Sequence, residues 1–515
     1  MNHKAHRECK DDKHEALHLF FKIFQFLCSL WVLCFNNLNY NRLLCFLVLV
    51  LAGCNPISPY QKPNVYAPPA WKKETIEEPI ENQEKQACLS NWWKIFNDPV
   101  LDEFEEIAIK NNQSLKSAIQ NYMQAKAQAE IARAPLFPSL FFSPVFYKQE
   151  GVFGAFGNFN QNQQGGNVPV QDDILRGNFA NYFVPFNVNY QVDLWNQIRN
   201  GYYAALFTED ASLEAFNALL LTITTDIAEN YFILCSLDAE REVLVESQIL
   251  RKNAVEINQA RFDAGLVNYT DVSRAITEFA DVNAEYEEML RKREVQENIL
   301  AVLLGVPSSE FLVQLMPLHK APPEIPAGIP ASIIVQRPDI REKERLLAAS
   351  WSNIAVAYAN YLPSLNLAGT IGFSTPFWSN LLDWKSRFWS YTVSIAQMIF
   401  DGGEVAGETH FAKATYLENL ANYRQNVLTA WSEVENALAG IKYYHTQSLY
   451  LIESVEAAKD TLGLSQERYD RGLVTYLDVV DAERTLLDSQ RSYVKAFGNR
   501  YLTAVQLIRA LGGSY

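Results

Sequence analysis

Three stretches of this chain alternate between large apolar and polar or small side chains. Tyr182, Val184, Phe186, Val188, Tyr190 and Val192 are large and mostly apolar, and Asn187, Asn189 and Gln191 between them are polar. Leu365, Leu367, Ile371 and Phe373 alternate with Ser364, Asn366, Ala368 and Thr370. Trp389, Tyr391, Val393, Ile395 and Ile399 alternate with Ser390, Thr392, Ser394 and Ala396. A period of two predicts strands with one apolar face. Strands of about ten residues, apolar outward and small or polar inward, meet the needs of a membrane β-barrel. The same alternation also suits one face of a soluble β-sandwich. Aromatic residues crowd the strand ends (Phe141, Phe142, Phe146, Tyr147, Tyr182, Phe183, Phe377, Trp378, Trp384, Phe388 and Trp389), as interfacial girdles do. The Gly-, Asn- and Gln-rich stretch 151–178 suits an exposed hairpin tip.

The other pattern has helical spacing. Leu101, Phe104, Ile107, Ala108, Leu115, Ala118, Ile119 and Tyr122 recur at three and four, which predicts one helix from Asp98 that stops before Pro135. No proline occurs between Phe186 and Val306, or from Phe377 to the end. Residues 196–263 form a helical stretch that would be roughly 100 Å long at 1.5 Å per residue. Gly265 and Gly472 break such helices, and return helices follow over Tyr269–Leu304 and Tyr476–Leu511. A further helix is expected over Pro338–Asn360.

The chain repeats itself. RFDAGLVNYTDV at 261–272 and RYDRGLVTYLDV at 468–479 share Arg, Asp, Gly, Leu, Val, Tyr, Asp and Val at an offset of 207. The register runs without a gap to Leu304-Gly305 and Leu511-Gly512. So long a period marks a duplicated half, since solenoid repeats are far shorter. The expected organisation is a leader over 1–53, a tether over 54–97, a first repeat over 98–305, an irregular linker over 306–337 and a second repeat over 338–515. Each half reads strand, strand, long helix, tip, return helix. Four strands cannot close a barrel, and open edges in lipid leave backbone groups unpaired. Three copies would supply twelve strands.

The N-terminal apolar run Leu43–Leu51 follows Arg42 and ends Leu51-Ala52-Gly53-Cys54, the form of a secretory signal with a bacterial lipobox. Cys54 would carry the lipid as the mature first residue. The alternative is a membrane anchor over 17–51. The formal charge of −15 argues against a nucleic-acid binder, and removing the leader makes the chain more acidic. The 7 cysteines include no CxxC, and four leave with the leader, so no disulfide framework or resident metal is expected.

Several segments in order resemble the TolC-like outer-membrane efflux proteins, and within them the OprM-like lipoprotein branch. They are Trp92-Trp93-Lys94-Ile95-Phe96-Asn97-Asp98-Pro99, Pro138-Ser139-Leu140 and Pro363-Ser364-Leu365, Asp193-Leu194-Trp195, Gln336-Arg337-Pro338-Asp339-Ile340-Arg341, and Phe400-Asp401-Gly402-Gly403. Gln336 stands where the branch usually has Arg. The resemblance implies a homotrimer with a twelve-stranded β-barrel in the outer membrane and a long α-helical coiled-coil barrel in the periplasm. It also implies a passive exit duct for small molecules in a tripartite pump, joined through a periplasmic adaptor to an inner-membrane RND (resistance-nodulation-division) transporter. Asn55 after the lipidated cysteine fits outer-membrane export.

By the same resemblance, Leu477, Asp478 and Asp481 would form the periplasmic gate. Asp478 and Asp481, at i and i+3, share a helix face. In a trimer they would make carboxylate rings that attract cations. The plain reading of the same residues is solvated carboxylates beside a turn. Arg261, Gly265, Asp271, Arg468 and Gly472 would shape the tips and meet the adaptor. Three other functions compete with this reading. An enzyme lacks any HExxH, GxSxG, Walker or dinucleotide motif here. A coiled-coil scaffold would leave the strands without a role. The exit channel of a type I protein secretion system stays within the same architecture.

Overall fold

The computed structural model describes residues 57–64, 71, 91–153, 175–318, 320–325 and 337–513. The leader, the Cys54 lipidation position and most of the tether lie outside the described residues. The chain divides into two compact units, each drawn from both halves.

The first unit takes 132–202 and 353–410, with the described residues up to Pro59. It is built on one antiparallel sheet of β1 (Ser139–Phe142), β2 (Val145–Phe153), β3 (Leu175–Val192), β4 (Ser364–Thr375) and β5 (Arg387–Ala396). β1 and β2 both pair with β3, which pairs with β4, and β4 with β5. The five strands therefore occupy four lanes. The first lane is interrupted at Ser143-Pro144, because proline has no amide to give the ladder. A long Ser143 N to Pro185 O bond of 3.5 Å is the backbone contact at that junction, beside a side-chain bond from Asn187 to Ser143. β3 runs for 18 residues, well beyond the roughly ten needed to cross a membrane.

The register sorts the faces as the alternation requires. Phe186 pairs with Ile371 and Ile371 with Trp389; Tyr190 pairs with Leu367 and Leu367 with Val393. Phe186, Ile371, Trp389, Leu367 and Val393 are all exposed, as are Tyr391 and Ile395 beside them. An apolar exposed face of this extent is a membrane or partner surface. The opposite face is mainly polar and bonded to itself, with Phe183 and Phe388 among the apolar side chains on it. Thr370 Oγ1 donates to Asn187 Oδ1 at 2.9 Å, Asn187 Nδ2 to Ser143 Oγ at 3.0 Å, and Asn181 Nδ2 to Ser374 Oγ at 3.1 Å. At Gly372 the strands approach so closely that a Cβ would overlap the Val184 carbonyl. Phe388 lies opposite Gly372 and packs on Phe183 at 4.9 Å, covering the gap the glycine leaves. The first lane and β5 form the two edges, and neither outer side is paired among the described residues.

The second unit takes 60–131, 203–352 and 411–515 and is helical. The chain's helices are α1 (Pro99–Asn111), α2 (Gln113–Arg133), α3 (Gln197–Asp263), α4 (Tyr269–Leu304), α5 (Pro338–Ala359), α6 (Glu404–Asp470) and α7 (Tyr476–Ala510). α3 and α6 each run 67 residues, about 100 Å. The single helix expected from Asp98 is two. Asn112 takes an extended ψ of 125°, and its Oδ1 accepts the Ser114 and Leu115 amides at 2.8 and 3.1 Å. Its Nδ2 donates to the Leu303 carbonyl at 2.7 Å. One side chain thus ends α1, starts α2 and ties both to α4.

Three motif aspartates are helix caps. Asp98 Oδ1 accepts the Val100 and Leu101 amides, and Oδ2 accepts the Tyr231 hydroxyl at 2.6 Å. Asp193 accepts Ile198 and Arg199 amides at 3.0 and 2.9 Å, and Asp401 accepts those of Gly403 and Val405, both at 2.9 Å. Each negative charge sits at the positive end of a helix. The end of the segment read as a tether packs into the core. Trp92 and Trp93 are fully buried, and Trp92 Nε1 donates to Thr224 Oγ1 at 3.1 Å. Trp71 lies 4.7 Å from Trp431 between ring centres.

Arg337, in the Gln-Arg-Pro-Asp-Ile-Arg segment, is the clamp of this unit. Its guanidinium binds both Asp339 oxygens, Glu433 Oε2 at 2.7 Å and the Ala510 carbonyl at 2.9 Å. It thereby ties the start of α5 to α6 and to the end of α7. Arg337→Ala removes the buried guanidinium and leaves the Ala510 carbonyl at the end of α7 without its donor, while the exposed Glu433 can turn to water. We expect a loss of about 1–3 kcal/mol, read from denaturant unfolding of the helical signal in detergent; a change below about 0.5 kcal/mol would contradict the clamp.

Candidate functional site: the paired helical tips

The repeated motif folds into two turns with the same backbone. At the first, Gly265 N donates to Phe262 O at 2.8 Å and Leu266 N to Arg261 O at 2.9 Å. At the second, Gly472 N donates to Tyr469 O and Leu473 N to Arg468 O, both at 2.9 Å. This is the helix ending that needs a left-handed residue, and Gly265 and Gly472 supply φ of 73° and 72°. The leucine after each glycine is exposed.

The side chains break the symmetry. Phe262 and Tyr269 pack ring to ring at 5.5 Å, and so do their repeat mates Tyr469 and Tyr476. Yet Phe262 and Tyr269 are 38% and 61% exposed, whereas Tyr469 and Tyr476 are 7% and 3% exposed. The second pair forms a small core with Ala275, Val479 and Val480. Tyr469 OH donates to Asn258 Oδ1 at 2.7 Å. Arg261 lies over the Tyr469 ring at 4.6 Å and pairs with Asp470 at 2.8 Å. The first tip therefore holds the second by polar contacts from α3 to α6. Arg468 supplies the carbonyl of the second turn, and its charge helps keep Asp478 ionised.

Asp478 caps its own helix. Its Oδ2 accepts the Thr475 amide at 3.0 Å and the Thr475 hydroxyl at 2.8 Å, while Thr475 caps in return. The hydrogen bond from the Thr475 hydroxyl holds this carboxyl below its usual range. Asp481, one turn on, is exposed, as is Leu477. Asp271, the repeat mate of Asp478, pairs instead with Arg274 at 3.7 Å. The tip thus brings together Arg261, Gly472 and the residues around Asp478, while Asp271 and Gly265 stay on the first turn.

A buried ionic cluster lies further along the same helices. Arg251 of α3 donates to the Glu278 carbonyl at 2.8 Å and pairs with its carboxylate at 3.2 Å. Arg484 of α7 binds the same carboxylate. Glu278 therefore joins three helices. Beside it, Glu483 Oε2 and Arg251 Nε are buried without a partner, next to a cavity of about 20 Å³ lined by Glu246, Ser247, Leu462, Leu486 and Gln490 among others. That is room for one water. Burial, opposed by Arg251 and reinforced by Glu278, pushes the Glu483 carboxyl up to about 7. Glu278, Glu483 and Arg484 are not repeated at the 207 offset, so the repeat gave no signal for them. Asp470 was signalled, since the aspartate of Arg-x-Asp recurs in both tips. Among the described residues no group of three or more His, Cys, Asp or Glu is set to hold a metal.

A sheet with one mainly apolar exposed face, joined in sequence to two hairpins of long helices, defines a membrane-channel subunit. The outer membrane efflux protein family model matches residues 106–306 and 329–513, and the chain belongs to that family. The probable efflux pump outer membrane protein TtgC of Pseudomonas putida is 26% identical over 468 residues, 90% of this chain and 94% of that one. The outer-membrane channel OprN has a TM-score of 0.79 at 26% identity, covering 88% of this chain and 98% of that chain. The Campylobacter jejuni CmeC outer membrane channel has a TM-score of 0.77 at 25% identity, covering 90% and 95%. The protein is an outer-membrane efflux channel.

Because its folded-state carboxyl is raised, Glu483 is best tolerated protonated. Its contribution is full below about 4.5, the ordinary value, and is lost as pH rises through about 7. The tip region is expected to lose about 1–3 kcal/mol of local stability over that window, seen as faster amide exchange in α7 near residue 483. Glu483→Gln should flatten the dependence; an unchanged pH profile in that variant would assign it elsewhere.

Proposed function

We propose that three copies of this chain close a twelve-stranded barrel that opens into a periplasmic helical tunnel. The assembly is the passive exit duct of a tripartite pump. The observation that carries this reading is the four-lane sheet with one apolar face and two edges that are unpaired among the described residues, which lipid does not tolerate in a single copy. The chain works without a resident cofactor and catalyses no reaction. An inner-membrane RND transporter supplies the energy through a periplasmic adaptor, and a lipid on Cys54 tethers the mature N-terminus.

Leu477, Asp478 and Asp481 form the gate. Asp478 and Asp481 are exposed on one face, and Asp478 stays ionised at neutral pH through its Thr475 bonds. Rings of three such carboxylates would bind divalent cations and narrow the path. The two tips, with exposed Leu266 and Leu473 beside the glycine turns, present the adaptor with matching apolar points; Arg261, Arg468 and Asp271 frame them. Small molecules fit as cargo because curated relatives are named as antibiotic, solvent and toluene efflux pump outer membrane proteins. No observation favours a type I protein-secretion channel over this.

Asp478→Ala with Asp481→Ala is expected to raise single-channel conductance in planar bilayers and to weaken block by divalent cations at least several-fold. Unchanged conductance and block would place the constriction elsewhere.

A further inference from the structure

The β4–β5 hairpin carries a feature that conduction does not use. Chain connectivity puts α5 before β4 and α6 after β5, so residues 376–386 lie at the end of the hairpin away from the helices. That end faces the cell exterior in an outer-membrane channel. Phe377, Trp378, Leu382 and Trp384 are all exposed there. Trp378 packs on Tyr182 at 5.5 Å, and Tyr182 on Phe146 at 4.5 Å, so the loop continues the aromatic rows of the lipid-facing side. Trp389 and Tyr391 stack below at 6.1 Å.

Arg387 is the first residue of β5. By alternation it shares a face with Trp389, Tyr391, Val393 and Ile395, the side that meets lipid. A cation in the apolar band would be costly at mid-membrane and nearly free at the boundary. Its guanidinium lies 3.7 Å from the centre of the Trp384 ring, and it forms no ion pair with a carboxylate among the described residues. Lys385 is exposed two residues away. Asp383 is the one acid between Pro376 and Arg387, so a positive charge remains. The planar guanidinium is held by the ring, and its donors have no partner among the described residues, a geometry suited to phosphate.

We propose that Arg387, Lys385 and Trp384 form a binding site for the phosphate of an anionic glycolipid in the outer leaflet. The proposal rests on the reading of this sheet as embedded in the outer membrane. Tryptophan sits at the headgroup level, the two cations neutralise phosphate, and the apolar strand face below receives acyl chains. The site would fix the height of the barrel in the membrane.

The test uses the full chain reconstituted in vesicles of phosphatidylcholine with or without bis-phosphorylated lipid A. Mild extraction and native mass spectrometry then count the retained lipids. Wild type should keep lipid A and shed phosphatidylcholine. Each lost cation should weaken retention about five-fold, so Lys385→Gln with Arg387→Gln should lose it almost wholly, and high salt should mimic the variant. Trp384→Ala should weaken retention with both charges in place. Added inorganic phosphate should leave the lipid bound; its displacing the lipid would overturn the assignment in favour of a free-anion site. Equal retention by wild type and the double variant, or equal retention of phosphatidylcholine, would overturn the proposal. Heat-modifiable, protease-protected insertion is measured in parallel. Insertion without lipid selectivity refutes the site alone, whereas failure of the wild type to insert refutes the membrane reading beneath it.

Discussion

The structure depends on one constraint: in hydrocarbon, every backbone amide and carbonyl must find a partner within protein. The sheet meets it internally through four lanes, from the Ser139–Asn189 pair at one side to Ser364–Ala396 at the other. Among the described residues, the constraint stays open along the two edges. Much of the local chemistry follows from it. The polar face ties its amides and hydroxyls to one another, as in the Ser143–Asn187–Thr370 row, so small polar side chains face a wet interior without competing for the ladder. Pro144, which breaks a ladder, is confined to an edge lane. Gly372, which weakens one, is covered by Phe388 and Phe183.

The helical unit answers a different problem. Helices of 67 residues have few neighbours per turn, so their relative positions depend on specific side chains. Arg337 does this where α5, α6 and α7 meet, and Glu278 where α3, α4 and α7 meet. At the tips, duplication provided two identical backbone turns, and divergence of the side chains gave them different work. One tip buries its aromatic pair and is held by Arg261 and Asn258; the other shows its pair to solvent.

Most of the architecture was legible in the sequence because it rests on period and punctuation. Alternation marked β3, β4 and β5, and the glycines of the repeat marked the ends of α3 and α6 within a residue or two. The break at Asn112 was hidden, since an asparagine inside a helical pattern signals a cap only when a distant partner, here the Leu303 carbonyl, fixes it. The split of the first lane at Pro144 was equally hidden within an aromatic run. At the tip, the motif aspartates and glycines were visible through repetition. Asn258, Glu278 and Glu483 were not, because their roles come from contacts between helices and have no mate at the 207 offset; Tyr469 lies inside the repeat, but nothing in the repeat marked it as the buried member of its pair.

The claim most worth testing is that the open edges of the sheet meet between copies of the chain. Single cysteines scanned along β2 and β5, paired and oxidised in the membrane, read this directly. The account expects covalent ladders between chains that stop at three, with the largest species a closed ring. Folded, inserted protein that gives only bonds within one chain, or ladders that run past three, would contradict it.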